Sequence, residues 1–190
     1  GEFPIEPKQM SWPFEGPFGT FDRQAIQRGF QVYKEVCSAC HGIPKVAFRN
    51  LREIGFSQAE VEAIASSYNI VDGPNDDGEM FERPGVSAEH FRSPLPNDKA
   101  ARSANGGLFP PDLSLIIKAR EDGANYVYSL LTGYEDPPES MDVPEGTYYN
   151  PYFPTGAIGM APPLASEGQV SYSDGTDATI QQMARDLVEF

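Results

Sequence analysis

Residues 37–41 read CSACH, and this stretch decides how the rest of the chain is interpreted. Cys37 and Cys40 are the only two cysteines among 190 residues, and His41 follows the second one directly. Upstream of the motif, apolar side chains recur at helical spacing, which predicts a helix over residues 22–36 that Asp22 can cap. The motif therefore lies at the end of an amphipathic helix.

This C-x-x-C-H pattern is the signature of covalent c-type haem attachment. Two thiols one helical turn apart can each add to a vinyl group of a porphyrin, and the imidazole of His41 then binds the iron from the proximal side. The sequence thus predicts one covalent haem c. Because that linkage is made after export, it also predicts maturation in an oxidising compartment outside the cytoplasm.

Three other interpretations of the cysteine pair are weaker. A redox C-x-x-C normally begins a helix that follows a strand, whereas this pair ends a helix. A structural zinc site needs four ligands and would have to use His90, the only other histidine. A plain disulfide, or a chance occurrence, is the third alternative.

The sixth iron ligand has several candidates. Met160 lies in residues 156–164, GAIGMAPPL, where glycines allow close approach to a flat ring and paired prolines fix the backbone. His90, or an iron left open or bound by water, are the alternatives. The other methionines lie in the N-terminal arm, in acidic loops or on a predicted core stripe: Met10, Met80, Met141 and Met183. A His/Met pair would close the iron to external ligands and suit electron transfer.

The net charge of −14 argues against nucleic acid as a partner, since phosphates require Lys and Arg. Residues 121–184 contain ten acidic side chains and no Lys or Arg, and a second acidic cluster covers residues 72–82. These segments are either solvated loops that keep the protein soluble or a negative field that steers a basic partner. No calcium-binding loop pattern accompanies the acidic residues.

The chain is expected to form a single domain over residues 1–190, mostly α with long loops. We expect an extended arm at 1–21 and long loop excursions at 69–111 and 134–175. Helices are predicted over 22–36, from the capping box at Ser57, from Pro110 through Arg120, over 126–132 with its end at Gly133, and over 176–190, with a small hairpin near 169–172. Neither a signal peptide nor a membrane-spanning run of about 18 apolar residues is visible.

Several segments together resemble the cytochrome c1 family, whose members are the haem subunits of quinol–cytochrome c oxidoreductase, the cytochrome bc1 complex. They are residues 28–42 around the C-x-x-C-H motif, 104–107 (ANGG), 110–114 (PPDLS), 126–134 (YVYSLLTGY), 148–154 (YYNPYFP) and 157–163 (AIGMAPP). The resemblance extends from about Trp12 to Phe190. The Met160 loop and the PPDLS segment make it specific, because C-x-x-C-H alone indicates only a c-type haem.

The resemblance implies a class I-like cytochrome c fold enlarged by long insertions, with little strand. It implies thioether bonds at Cys37 and Cys40 and axial ligation by His41 and Met160. The further residues that it places around the haem are Asn105, Pro110, Pro111 and Leu113 against the ring, and Arg120 and Tyr126 near the propionates. Gly29 and Tyr33 are expected to form a notch for the last helix. An arginine suits the propionates on independent grounds, although Arg120 could equally be an exposed residue that ends a helix.

The function implied by the resemblance is electron relay from a Rieske iron–sulfur protein to a basic cytochrome c, in a complex that also contains cytochrome b. Such a subunit is not catalytic alone, and it would work at the periplasmic side of a bacterial inner membrane or in the mitochondrial intermembrane space. Family members carry a C-terminal membrane anchor, which we expect to begin soon after Phe190, so this chain would be a soluble fragment. A peroxidase-like haem enzyme and a free-standing electron carrier are the alternatives.

Overall fold

The computed structural model of the chain describes residues 2–119 and 122–190. Its α-helices are α1 (Arg23–Glu35), α2 (Gln58–Ser66), α3 (Asp98–Ala104), α4 (Ile116–Ala119), α5 (Gly123–Thr132) and α6 (Ile180–Glu189). Its strands form two antiparallel hairpins, β1 (Asn69–Asp72) with β2 (Phe81–Pro84) and β3 (Tyr148–Tyr149) with β4 (Ala157–Ile158). The predicted fold class, mostly α with little strand, is confirmed.

The centre of the fold is the packing of α1 against α6. Asp22 caps α1 by accepting a hydrogen bond from the Ala25 backbone N–H, as the sequence predicts. At Gly29 the two helices come so close that an added Cβ would overlap the backbone carbonyl of Asp186 on α6. The ring of Phe190 packs beside this point, 5.9 Å from the ring of Tyr33. The predicted notch of Gly29 and Tyr33 for the last helix is therefore confirmed.

Two hydrophobic clusters lie on either side of this helix pair. The first contains buried side chains of the arm, of α1, α5 and α6, and of the loops before α6: Trp12, Val32, Tyr128, Leu131, Leu164, Val170, Tyr172, Met183, Ala184 and Val188. The second packs α1 against α2 and against a 3₁₀ segment, Phe48–Ile54, that the sequence did not indicate. Met183 is completely buried, in agreement with its predicted place on a core stripe.

The N-terminal arm is attached to α5 by hydrogen bonds. The backbone N–H of Lys8 donates to Ser129 Oγ at 2.7 Å, and the indole N–H of Trp12 donates to Asn125 Oδ1 at 2.8 Å. These bonds satisfy polar groups on a helix face that the arm covers. Within the described residues, no helix is long and apolar enough to span a bilayer.

Two predictions about strands and short helices were wrong. The hairpin expected near 169–172 is a loop, because the Gln169 side chain bonds the Ala165 N–H and the Pro163 carbonyl, while Tyr172 packs into the core. The 69–111 excursion contains the β1–β2 hairpin, as well as the seven residues of α3, where at most a short helical turn was expected. Each of those strands has four residues, too few for a clear periodicity.

Three helix boundaries also differ from the predictions. The helix expected from Pro110 begins only at Ile116; ahead of it, the N–H of Leu113 donates to the carbonyl of Gly42 and the N–H of Ser114 donates to the carboxylate of Asp112. Helix α5 begins at Gly123 rather than at residue 126, and it ends at the predicted Gly133. Helix α6 begins at Ile180, where the Thr179 hydroxyl caps it, rather than at residue 176.

Candidate functional site

The two cysteines lie on a tight turn directly after α1. Helix α1 ends at Glu35, and a 3₁₀ turn follows over Cys37–Ala39. The carbonyl of Cys37 accepts hydrogen bonds from the N–H groups of Cys40 and His41, at 3.2 and 2.9 Å. Both thiols are free, with Cys37 buried and Cys40 exposed. Burial raises the pKa of the Cys37 thiol to about 12, so this sulfur is held as a neutral thiol.

The imidazole of His41 is fixed by a backbone carbonyl. Its Nδ1 lies 2.9 Å from the carbonyl oxygen of Pro111, and since that oxygen only accepts, Nδ1 carries the proton and donates. The other ring nitrogen, Nε2, is then the unprotonated one and can act as a metal ligand. Burial lowers the pKa of His41, which favours the neutral imidazole that ligation requires.

The segment that contains Pro111 is tied to the loop after His41 by further bonds. The N–H of Leu113 donates to the carbonyl of Gly42 at 3.0 Å, and the N–H of Lys45 donates to Ser114 Oγ at 3.2 Å. Leu113 also packs against the second hydrophobic cluster. The structure thus brings two predicted residues, Pro111 and Leu113, to the side of His41.

The loop that carries Met160 follows the β3–β4 hairpin. Met160 is half-buried against the first hydrophobic cluster, and its carbonyl accepts a hydrogen bond of 2.8 Å from the hydroxyl of Tyr134. An added Cβ at Gly159 would overlap the side chain of Leu108, so that side chain lies directly against the loop. Gly159 therefore allows a close approach, as its sequence context predicts. The group that approaches it among the described residues is the side chain of Leu108.

The hairpin is anchored to the C-terminal end of α5. Asn150 is completely buried, and its side-chain amide donates to the carbonyl of Leu130 at 2.8 Å. An added Cβ at Gly133 would overlap the ring of Tyr152, so the hairpin packs closely against the residue that ends α5. The Met160 loop is thereby attached to the helix that packs on α6.

The other predicted site residues lie outside the cysteine turn and the Met160 loop. Asn105 follows α3 and donates its side-chain amide to the carbonyl of Ala101 at 2.7 Å. Tyr126 is a half-buried residue of α5, and Pro110 is half-buried next to Pro111. Arg120 lies outside the described residues.

His90, the alternative sixth ligand, is bonded through one of its two ring nitrogens. Its Nδ1 lies 2.9 Å from the carbonyl oxygen of Pro44, and its backbone pairs with Ala47 in an isolated bridge. Of the alternative methionines, Met183 is completely buried in the core and Met80 is 60% exposed on the β1–β2 hairpin. In residues 2–119 and 122–190, no group of three or more His, Cys, Asp or Glu side chains is placed to hold a metal ion.

Three apolar side chains near the site are only half-covered. Leu108, Phe109 and Leu115 are 50%, 44% and 46% exposed, and they flank Pro111 in the sequence. Large exposed apolar groups of this kind mark a surface that binds an apolar partner. Together with the free thiol pair and the oriented imidazole, they fit a porphyrin, which is flat, apolar and attached through thioethers.

Two arginines among the described residues form ion pairs that connect elements of the fold. Arg28 bonds the buried Asp186 at 3.0 Å and Asp174 at 2.9 Å, which joins α1 to α6 and to the loop before it. Arg83 bonds Asp72 at 2.7 Å and lowers the pKa of that carboxyl, so Asp72 is neutralised within its hairpin.

An acidic surface within residues 134–162 borders the Met160 loop. We call it the acidic groove; it is lined by residues 134–137, residues 143–149 and Pro162, with a volume of about 790 Å³. Its carboxylates are those of Glu135, Asp136 and Glu145, all of them exposed. Tyr134 belongs both to this groove and to the hydrogen bond at Met160.

Sequence reasoning missed three residues that the structure places at the site. Tyr134 bonds the Met160 carbonyl, Leu108 covers Gly159, and the hydroxyl of Tyr33 donates to the carbonyl of His41 at 3.0 Å. A weak signal existed for Tyr134, which directly follows the glycine that ends a predicted helix. Leu108 and Tyr33 gave none, because a leucine in a loop and a tyrosine on a core stripe are ordinary features.

Comparison with known proteins gives a consistent result. Residues 12–190 match the model of the Cytochrome C1 family. The chain is 52% identical over an alignment of 207 residues to "Cytochrome b/c1" of Bradyrhizobium diazoefficiens, covering 97% of this chain and 30% of that protein. It is 49% identical to "Cytochrome c1-2, heme protein, mitochondrial" of Solanum tuberosum, covering 100% of this chain and 72% of the relative. "Cytochrome c1" of Rhodospirillum rubrum is 47% identical, with 96% and 72% covered.

Proposed function

The chain belongs to the cytochrome c1 family, and from this we infer that it is a haem-bearing electron-transfer domain. The chain spans only 30% of the length of the Bradyrhizobium protein, so the activity of the complete protein is part of the proposal. We propose one haem domain over residues 1–190. The observation that carries the proposal is the turn after α1, where two free thiols precede an imidazole whose Nδ1 donates to Pro111.

In this proposal, Cys37 and Cys40 hold haem c through thioether bonds, and His41 and Met160 are the axial ligands. Haem c, when bound, supplies one-electron oxidation and reduction at its iron. The protein's part is to keep the two ligands in place: Pro111 and Tyr33 fix the residue His41 at its ring and at its carbonyl. The anchored Met160 loop would keep water and other small ligands from the iron.

The remaining predicted residues complete the surroundings of the haem in this proposal. Asn105, Pro110, Pro111 and Leu113 lie against the ring, and Arg120 and Tyr126 lie near the propionates. The attachment of Leu113 to Gly42 and the half-exposed apolar side chains beside Pro111 support this arrangement. An arginine is a suitable partner because two propionate carboxylates that are partly buried need a cation.

We further propose that the chain works within a cytochrome bc1 complex. A relative from Candida albicans, 48% identical over 190 residues, is named "Cytochrome b-c1 complex catalytic subunit, mitochondrial". The electron would come from a Rieske iron–sulfur protein, with cytochrome b in the same assembly, and would pass to a basic cytochrome c. The periplasmic side of a bacterial membrane, or the mitochondrial intermembrane space, is the corresponding location.

The docking of a basic partner is supported by the charge distribution. The chain carries a net charge of −14, and the acidic groove borders the Met160 loop. A field of this sign raises the rate of encounter with a cationic protein while leaving the complex weak enough to dissociate quickly. Rapid dissociation is what an electron carrier requires.

Covalent attachment can be tested on protein exported together with a c-type haem maturation system. We expect the pigment to stay with the polypeptide in acidified organic solvent, and each of Cys37→Ser and Cys40→Ser to remove one thioether and shift the reduced spectrum. As a matched control, Ser38→Ala changes the same turn without touching a thiol. Pigment that is extracted from the unchanged protein would refute the proposed function.

A further inference from the structure

Tyr134 has a role at the site that neither the motif nor the family resemblance indicated. It comes one residue after Gly133, where α5 ends, and its hydroxyl donates to the carbonyl of Met160 at 2.8 Å. Its ring is therefore a fixed link between a helix end and the residue proposed as the axial ligand.

The other contacts of the loop lie to either side of Met160 rather than at it. Upstream, the β3–β4 pairing and Asn150 hold residues 148–158. Downstream, the carbonyl of Pro163 accepts from the Gln169 side chain. At Met160 itself, the hydrogen bond found among the described residues is the one from Tyr134. Without it, the residue between these two anchors would be restrained by packing alone.

We propose that Tyr134 is a positioning residue for Met160: its hydroxyl holds the Met160 backbone so that the thioether stays at the iron. The inference rests on the proposed function, since it takes Met160 as the axial ligand. A backbone carbonyl that loses its buried partner prefers conformations in which water can reach it. Those conformations take the thioether away from the iron and let an external ligand bind.

The test compares two holoprotein variants that each remove one phenolic hydroxyl. Tyr134→Phe keeps the ring and its packing but removes the donor to Met160. Tyr148→Phe removes the same atom from a half-exposed ring that lines the same acidic groove. The affinity of the oxidised proteins for imidazole is measured by spectrophotometric titration, together with the charge-transfer band of the sulfur–iron bond.

We expect imidazole to bind Tyr134→Phe about five- to tenfold more tightly than the unchanged protein, the factor that corresponds to one net hydrogen bond. The sulfur–iron band should weaken in parallel, while Tyr148→Phe keeps the affinity and the band of the unchanged protein. The temperature of thermal unfolding, followed by far-ultraviolet circular dichroism, serves as the structural readout. A purely structural role would lower that temperature without changing the affinity for imidazole.

Equal imidazole affinities in Tyr134→Phe and the unchanged protein would overturn this inference and leave the proposed function intact. Equal gains in Tyr134→Phe and Tyr148→Phe would overturn it as well, since the effect would not come from the bond to Met160. If the unchanged protein lacked the sulfur–iron band, the assignment of Met160 as an iron ligand would be wrong, and the inference that depends on it would be overturned with it. The three outcomes are distinguishable in one set of spectra.

Discussion

The residue His41 is held at its ring and at its main chain by groups far apart in the sequence. Pro111 accepts from the ring, 70 positions downstream, and Tyr33 donates to the carbonyl from the preceding helix. Such a partner at the non-ligating nitrogen sets the tautomer and the orientation of a metal-binding histidine. The orientation of the His41 ring is therefore set by hydrogen bonds within the protein.

A second residue with an unusual environment is Glu189, a carboxylate of α6. Its side chain is 5% exposed, and its Oε2 has no hydrogen-bond partner among the described residues. Burial raises the pKa of Glu189, and the neighbouring Asp22 and Asp186 carboxylates raise it further, while Arg185 and Arg28 act in the opposite direction.

The sign of the resulting pH dependence follows from linkage. Because the folded state holds the Glu189 proton more tightly than the unfolded state, the buried group costs nothing below its ordinary pKa of 4.5. It destabilises the fold as the pH rises through the raised value. We expect Glu189→Gln to increase the free energy of unfolding at pH 7 and to leave it unchanged at pH 4, measured by urea denaturation of the holoprotein.

The exposed Glu139 provides the control for this prediction. Glu139→Gln removes the same charge from a solvated loop, and it should change the free energy of unfolding little at either pH. A Glu189→Gln variant that is less stable than the unchanged protein at pH 7 would contradict the prediction. The charged carboxylate would then stabilise the fold despite its burial.

Among the elements, the contact between α1 and α6 decides the stability of the fold. An added Cβ at Gly29 would overlap the backbone carbonyl of Asp186, and neither helix backbone can move without disturbing both hydrophobic clusters. We expect Gly29→Ala to lower the free energy of unfolding by about 3 kcal/mol, the upper end for overpacking. Chemical denaturation of the holoprotein measures it, with Lys34→Ala on the exposed face of α1 as the control.

At Gly159, a substitution by alanine is expected to lower the stability much less than at Gly29. The atom that an added Cβ would meet there is the end of the Leu108 side chain, which is half-exposed and can turn away. Gly159→Ala should therefore cost far less than Gly29→Ala. If the two variants were equally unstable, backbone contact at the helix pair would not be the reason for the loss at Gly29.

The sequence predicted elements with strong local signals and missed those set by distant contacts. The cap at Asp22 and the end of α5 at Gly133 are local, and both are confirmed. The start of α4 was wrong: the residues before it form a loop that is bonded to the segment after His41, an arrangement that no local pattern reveals. At the site, the motif of residues 37–41 was readable, whereas the bond from Tyr134 to Met160 depends on where α5 ends relative to a later hairpin.

At the scale of the whole molecule, the helices connect the two proposed ligands. The cysteine turn extends from α1, α1 packs on α6, and α6 packs on α5, whose C-terminal end holds the Met160 loop. The relative position of His41 and Met160 is thus controlled by the packing of three helices.

The charge of the whole molecule leads to a prediction about encounter with a partner. Exposed charges lose influence beyond about 8 Å at physiological ionic strength. We expect the second-order rate of electron transfer to a basic cytochrome c to fall steeply as salt is added, measured by stopped-flow spectrophotometry. A rate that does not change with salt would remove electrostatic steering and leave the haem assignment untouched.

Two triple variants locate the surface responsible, because each removes three exposed negative charges. One changes the acidic groove: Glu135→Gln, Asp136→Asn and Glu145→Gln. Its match changes the tip of the β1–β2 hairpin: Asp76→Asn, Asp77→Asn and Glu79→Gln. We expect the groove variant to slow electron transfer several-fold at low salt and the hairpin variant to slow it less, since the groove borders the Met160 loop. The reverse order would place the docking surface on the hairpin.

The closed iron is the central claim, and carbon monoxide tests it most directly. The reduced holoprotein at neutral pH should keep its spectrum unchanged under carbon monoxide, while Met160→Leu, with its haem still covalently attached, should bind the gas. Prompt binding by the unchanged protein would contradict the account, because its iron would then be open to small molecules rather than restricted to electron transfer.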